Sequence, residues 1–182
     1  MPNDHQVAPT PPSAPGIDPR LFRQVMGTFA SGVTIITVDA GGMPRGMTAS
    51  AFMSGSLEPP LCVVSVAKRA HMHHYLGQAK RFGVNVLAQD QQVYARHFAG
   101  KPVEGLLPPF EVLAGVPMLA DAVARIVTEA FAQHDCGDHT LFVGHILHMD
   151  GDERRPLLYH RGGFGALEPL RDREEVPVPE FW

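Results

Sequence analysis

The apolar residues near the start of the chain recur with a helical period. Five large apolar side chains fall on one face of a helix: Leu21, Phe22, Val25, Met26 and Phe29. Asp18 comes directly before Pro19, which is typical of a helix start because Asp accepts free N–H groups and Pro suits the first helical position. We therefore expect an amphipathic helix of about three turns that begins at Asp18 and ends at Gly32.

The pattern then becomes extended. Residues 33–38 are a β-branched run, Gly41 and Gly42 supply a turn, and a second strand is expected over residues 45–54. These three segments predict a β-hairpin.

The remaining elements are short. Further strands are predicted over residues 61–66, 82–87, 122–132, 141–147 and 157–160. Short helices are predicted over 70–77 and 90–98, the second capped by Asp90, and residues 101–117, with four prolines, are predicted to form a loop. A doubly wound parallel sheet needs a crossover helix between almost every strand pair, so the fold class is mainly β, an antiparallel barrel with a few peripheral helices.

Composition limits the classes of function. The chain has 182 residues, 45% of them hydrophobic and 19% charged, which fits one globular domain. Residues 1–16 hold five prolines and predict a disordered tail, and residues 168–182 form a C-terminal extension. A net charge of −4 with no basic block argues against nucleic-acid binding. We expect no membrane span, no secretion signal and a cytoplasmic protein whose two cysteines are thiols.

One predicted strand carries a row of hydroxyl groups. Strict alternation over residues 45–54 places Thr48, Ser50 and Ser54 on one face together with Phe52. Met47, Ala49, Ala51 and Met53 lie on the opposite face. Hydroxyls about 7 Å apart along a strand suit an extended polar ligand such as a ribityl chain and its phosphate. The alternative is that these side chains simply face water, as the outer side of an antiparallel strand often does.

A second candidate lies between the two long strands, in the sequence Cys136-Gly137-Asp138-His139-Thr140. His139 is expected at a rim, where its imidazole could orient an amide, or it is a turn histidine without a role. The neighbouring histidines and acids do not complete a tetrahedral ligand set, so no metal site is expected. Glycine-rich nucleotide motifs and a hydrolase nucleophile elbow are absent from the sequence.

Four stretches of the sequence together form a recognisable pattern: FRQVMGTFASGVTIITV, GMTASAFMSGSLEPPLCVVSV, RFGVNVLAQDQQVYARHFAG, and GDHTLFVGHIL followed by PLLYHRGGFGAL. In this order they resemble the short-chain flavin reductase family. The resemblance implies that residues 17–167 form a Greek-key split barrel that binds FMN. It also implies a homodimer that holds FMN or FAD across the subunit boundary, oxidises NADH or NADPH, and supplies reduced flavin to a separate monooxygenase.

The same resemblance assigns site residues. By position, the flavin-binding strand contains Thr48, Ala49, Ser50 and Ser54, and further polar positions lining the flavin are Ser65 and Asn85. It implies that His139 lies near the nicotinamide and that Phe164 packs near the active site.

The chain departs from the family at one point. Where the family shows a Ser-x-Thr-like pair near the flavin phosphate, this chain has Ala70, His71 and Met72. We expect Lys68, Arg69 or His73 to hold the phosphate instead, because these side chains can pair with a dianion. A non-enzymatic FMN-binding protein for electron transfer remains the alternative function.

Overall fold

The computed structural model describes residues 16–168, which form three helices and twelve strands. The helices are α1 (Pro19–Met26), α2 (His71–Gln78) and α3 (Gln92–Phe98). The strands are β1 (Ser31–Gly32), β2 (Thr34–Asp39), β3 (Pro44–Ala49), β4 (Phe52–Ser56), β5 (Leu61–Ala67), β6 (Arg81–Val86), β7 (Phe110–Leu113), β8 (Val116–Leu119), β9 (Ala124–Cys136), β10 (His139–Gly151), β11 (Leu158–His160) and β12 (Gly163–Gly165). Apart from Gly16 and Glu168, the predicted tail and C-terminal extension lie outside the described residues.

Seven antiparallel strands form the main sheet, in the order β3-β2-β6-β9-β10-β5-β4. The two edge strands, β3 and β4, are consecutive in the chain and are separated only by Ser50 and Ala51. The N–H of Ser65 on β5 donates to the carbonyl of Ala51 at 3.0 Å. Because the chain passes directly from one edge to the other, the sheet closes on itself. The expectation of a mainly β, antiparallel barrel is confirmed.

The predicted single strand over residues 45–54 is wrong, because it is two strands on opposite edges of the sheet. Met47 and Ala49 pack against the barrel core, and so does Phe52, although strict alternation would put it on the other face. Met53 is 60% exposed. The corner at Ser50 and Ala51 shifts the alternation by one residue, so Phe52 turns toward the barrel core.

The core consists of one main cluster inside the barrel, a second beneath α3 and a third, smaller one formed by Val116, Met118 and Val127. The main cluster combines alternate residues of several strands with two residues of α2: Ile36, Val38, Val64, Val66, Met72, Leu76, Phe82, Val84 and Phe142. On β5 the buried residues alternate with half-buried ones, so one face points into the barrel and the other outward. This outer face of β5 becomes part of the candidate site.

The longest strands, β9 and β10, have 13 residues each and form a hairpin. Gly137 at the turn has φ of 63°, which favours glycine. Both strands were predicted, but too short. The apolar runs end near residues 132 and 141, whereas backbone pairing continues through polar residues to Cys136 and His139.

Several predicted boundaries are also wrong. Asp18 accepts from the N–H of Arg20 at 2.9 Å as predicted, but α1 ends at Met26, well before Gly32. Helix α3 begins after Gln91 without a side-chain cap, so Asp90 is not its cap. The predicted loop over residues 101–117 contains β7, which pairs with β8, and β12 was not predicted. Across residues 16–168, no helix is long and apolar enough to cross a membrane.

Candidate active site

His139 is the first residue of β10 and lies at the hairpin turn. Its backbone pairs with Ala67 on β5 and with Cys136 on β9. Nδ1 of His139 lies 2.7 Å from Oδ1 of Asp138, and the His139 side chain is 42% exposed. Because an ionised carboxylate can only accept, Nδ1 donates, and in the neutral ring Nε2 is then an acceptor. This hydrogen bond with His139 is the main reason that the pKa of Asp138 is lowered.

The turn is tied to β5 and α2 by polar contacts. The backbone N–H of Lys68 donates to the carbonyl of Asp138 at 2.9 Å. Thr140 donates its hydroxyl to Asp135 at 3.3 Å and lies 2.9 Å from Nε2 of His73. Since the single hydroxyl proton of Thr140 is directed at Asp135, Nε2 of His73 is the donor to Thr140. The hairpin carrying His139 is therefore fixed on two sides.

Two predicted hydroxyl residues lie near this turn on the outside of the barrel. Ser65 pairs with Leu141, two residues along β10 from His139, so both side chains lie on the same half-buried outer face. Ser50 is exposed at the corner, next to the Ala51 carbonyl that bonds Ser65. The structure thus brings Ser50, Ser65, Lys68 and His139 to one region of the surface.

The remaining predicted strand residues are arranged differently. Thr48 donates its hydroxyl to the carbonyl of Ala95 on α3 at 2.7 Å. Ala49 packs against the core, and its carbonyl accepts from Thr34 at 2.8 Å. Ser54 is exposed on β4, across the corner from Thr48. The expected continuous row of hydroxyls along one strand does not form, because the strand is interrupted at the corner.

Asn85 lies in the core and is fully buried, with an exposed fraction of 0%. Its Nδ2 donates to the Ile35 carbonyl at 2.9 Å and to Thr37 Oγ1 at 3.2 Å, while its Oδ1 accepts from the Leu119 N–H at 2.8 Å. Its amide joins β2, β6 and β8. In this structure Asn85 does not line the outer surface where a ligand could bind.

Phe164 lies on β12, half-buried, with its ring edge-to-face against Tyr159 at a centroid distance of 5.9 Å. It also packs against the core cluster beneath α3. Thr48, through its bond to Ala95, and Phe164 therefore both contact the cluster beneath α3.

Sequence reasoning missed Asp135 and Thr140. Both could have been found from the turn, since a two-residue turn at Gly137 and Asp138 pairs Cys136 with His139 and Asp135 with Thr140. The contact from Asp135 to Lys68 depends on the β5–β10 pairing, which the local pattern does not show.

The residues near the turn fit a flavin in their chemistry. Lys68 and Arg69 are exposed cations for a phosphate, Ser50 and Ser65 carry hydroxyls for a polar chain, and the outer face of β5 and β10 is half-buried. Within residues 16–168, no group of three His, Cys, Asp or Glu side chains is arranged to hold a metal ion.

The fold and this surface define a closed antiparallel barrel with a polar, partly exposed surface beside a hairpin turn. The family model described as flavin reductase like domain matches residues 26–168. The chain therefore belongs to the flavin reductase like domain family.

Individual relatives agree with this assignment. An NADH-dependent flavin reductase from a Rhodococcus species is 39% identical over 159 residues, covering 86% of this chain and 90% of that protein. The reductase component of 4-hydroxyphenylacetate 3-monooxygenase from Thermus thermophilus is 37% identical over 147 residues, covering 80% and 95%. Among solved structures, flavin reductase PheA2 has a TM-score of 0.82 and 42% identity, covering 84% of this chain and all of that one.

Proposed function

We propose that this protein is an NADH-dependent flavin reductase that transfers a hydride from the nicotinamide to FMN or FAD. The observation that carries the proposal is the position of His139. It lies at the hairpin turn, held by Asp138, on the same outer face as Ser65 and close to Lys68. A similar protein is named as an NADH-dependent flavin reductase, and the whole domain matches the family.

Each residue has a distinct task in this proposal. The flavin, when bound, supplies the ring that accepts the hydride. Ser50 and Ser65 bind its polar chain, and Lys68 binds its phosphate. His139 hydrogen-bonds the nicotinamide carboxamide through Nε2, because Nδ1 is already engaged by Asp138. Holding two reactants about 3–3.5 Å apart supplies much of the rate acceleration, so orientation is the main task of this surface.

Three other predicted residues, Thr48, Ala49 and Phe164, support the site indirectly in this proposal. Thr48 and Ala49 hold the β3 side of the corner in place through their bonds to α3 and β2. Phe164 packs against the cluster beneath α3 and so supports that helix. Ser54, exposed on β4, is the hydroxyl available to the polar chain on the other side of the corner.

We propose that the reduced flavin is passed to a separate monooxygenase. A similar protein is named as the reductase component of a monooxygenase, and 95% of that protein is covered. Both cysteines are free thiols, which fits the reducing cytoplasm. The alternative of a non-enzymatic electron-transfer flavoprotein is not favoured, because the relatives are named as reductases.

We also propose that the protein is a homodimer in which a second copy covers α1. All eight residues of α1 are exposed, and its large apolar side chains are more than half exposed, from Leu21 at 51% to Met26 at 58%. Nearby Phe29 is 79% exposed. An isolated helix of this length is marginal in water, so its apolar face needs a partner.

Light scattering after size exclusion tests the dimer. The wild-type chain should have the mass of two copies, and Phe22→Glu should give one copy. Gln24→Glu on the polar side of the same helix is the matched control and should remain dimeric. A monomeric wild-type protein, or a dimer that survives Phe22→Glu, would show that a second copy does not cover this face.

Absorbance at 340 nm tests the activity. Purified protein is mixed with NADH or NADPH and with FMN, FAD or riboflavin, and we expect rapid oxidation of NADH only when a flavin is added. Bound flavin without nucleotide oxidation would instead identify the electron carrier.

A bulky substitution tests the flavin surface. Ser50→Trp should weaken flavin binding at least tenfold, because an indole at the corner occupies the space expected for the polar chain. Ser56→Trp, an exposed serine further along β4, is the matched control and should bind normally. Equal flavin affinity in the two variants would contradict the assignment of Ser50.

A further inference from the structure

Lys68, beside the candidate flavin site, already has an acidic partner within the chain. Nζ of Lys68 lies 3.3 Å from Oδ1 of Asp135. On the other side of the turn, the pKa of Asp138 is lowered mainly by the hydrogen bond with His139, and the charge of Arg69 lowers it further. Lys68, the cation assigned to the phosphate, is therefore paired with a carboxylate of the β9–β10 hairpin.

Asp135 is held in this position. Its carboxylate also accepts from Thr140, which is itself bonded to His73 on α2. Both members of the ion pair remain open to solvent, with exposed side-chain fractions of 41% for Lys68 and 78% for Asp135. A phosphate can reach Lys68 from the solvent, but it meets a fixed carboxylate beside the ammonium group.

We propose that Asp135 is a specificity-determining residue that reduces the contribution of the flavin phosphate to binding. This inference rests on the proposed function and on phosphate binding by Lys68. A phosphate dianion at Lys68 must displace the Asp135 carboxylate or be repelled by it, and either effect weakens FMN relative to riboflavin, which has no phosphate. The protein consequently discriminates little between the two flavins.

This weak discrimination suits a flavin that binds, is reduced and leaves. A phosphate fully engaged by two unpaired cations would favour a tightly held prosthetic group. Pairing of Lys68 with Asp135 removes part of that gain. Asp135 thereby favours exchange of the flavin, as a separate oxygenase partner requires.

Equilibrium titration of FMN and riboflavin into three proteins tests the proposal. Asp135→Asn keeps an oxygen for Thr140 but removes the charge. We expect its FMN dissociation constant to fall about three- to fivefold at low salt, with riboflavin unchanged. The matched control is Asp152→Asn, which also removes one negative charge and one ion pair, with Arg154, at another place on the surface. It should change neither flavin.

A double variant tests the route through the lysine. In the background of Lys68→Gln, Asp135→Asn should no longer improve FMN binding relative to riboflavin. The improvement in Asp135→Asn should also shrink in 0.5 M salt, because exposed charges are screened.

The outcomes separate this proposal from the function on which it rests. If the proteins bind flavin and oxidise NADH but the ratio of FMN to riboflavin affinity is the same in wild type and Asp135→Asn, only the role of Asp135 is overturned. An equal change in the affinity of both flavins overturns it as well. If the wild-type protein binds neither flavin, the proposed function is wrong and the role of Asp135 fails with it.

Discussion

Replacing Asn85 by Ala distinguishes a structural role from a flavin-binding role at this position. The substitution removes three hydrogen bonds, two donated to β2 and one accepted from the N–H of Leu119. Asn85 and Leu119 are both fully buried, so water does not replace the lost acceptor. The Leu119 N–H would remain in the core without a partner.

The size of the effect follows from these contacts. A neutral hydrogen bond contributes about 1 kcal/mol, and an unpaired buried N–H costs about 1–3 kcal/mol. We therefore expect Asn85→Ala to lower the free energy of unfolding by about 3–5 kcal/mol, from the two lost donated bonds and the unpaired Leu119 N–H. For a domain of this size each kcal/mol shifts Tm by about 2–4 °C, which gives a decrease of about 6–20 °C.

Urea unfolding without flavin measures this change, and flavin titration at a temperature where the variant is folded measures the other role. The exposed amide of Gln89 provides the control, and Gln89→Ala should unfold like the wild type. A stability within 1 kcal/mol of wild type, combined with a large loss of flavin affinity, would refute the reasoning and return Asn85 to the flavin site.

Three further changes have defined outcomes. His139→Ala should lower kcat/KM for NADH about tenfold in steady-state assays, because one good hydrogen bond to the nicotinamide is lost. Flavin affinity measured by titration should not change, which excludes a general loss of fold. Gly144→Ala should lower Tm in a thermal melt, because the added Cβ would lie 2.7 Å from the Phe82 ring and overpacking costs about 1–3 kcal/mol. An unchanged Tm would mean that the core around Phe82 rearranges to accept the methyl group without loss of stability. The pKa of Asp150 in the folded protein is lowered, chiefly by its hydrogen bond with Arg125. The ionised carboxylate of Asp150 therefore stabilises the fold at pH values above its unfolded pKa, and this stabilisation is lost as the pH falls through the lower pKa of the folded state. The deficit of Asp150→Asn in urea unfolding, about 1 kcal/mol at pH 7, should therefore shrink below about pH 4, and a deficit that persists there would contradict the ion pair.

Local sequence patterns were sufficient to predict features that depend on a single strand or turn. The strand predicted over residues 61–66 is confirmed, since the structure has a strand at Leu61–Ala67. Asp138 and His139 are adjacent, so their hydrogen bond could be anticipated from the turn.

The sequence could not predict contacts between residues that are far apart in the chain. The residues at 45–54 have a consistent strand pattern, but nothing within them shows that the two halves pair with β2 and with β5. The amide of Asn85 contacts Ile35 and Leu119, which are 50 and 34 residues away in the chain. A polar residue in a strand is equally consistent with a ligand contact and with such an internal bond, and only the folded structure distinguishes them.

The corner at Ser50 and Ala51 joins barrel closure to the candidate flavin surface. Ser50 and Ala51 connect the two edge strands of the sheet. The hydroxyl of Ser50 is assigned to the ligand, and the carbonyl of Ala51 accepts a hydrogen bond from the N–H of Ser65. If the barrel opens locally at this corner, the hydrogen bond between Ser65 and Ala51 must break. A molecule bound over the corner would shift the balance away from the opened form, so the Ser65 amide would exchange its hydrogen with deuterated solvent more slowly, and occupancy of the surface could be followed at a single backbone position.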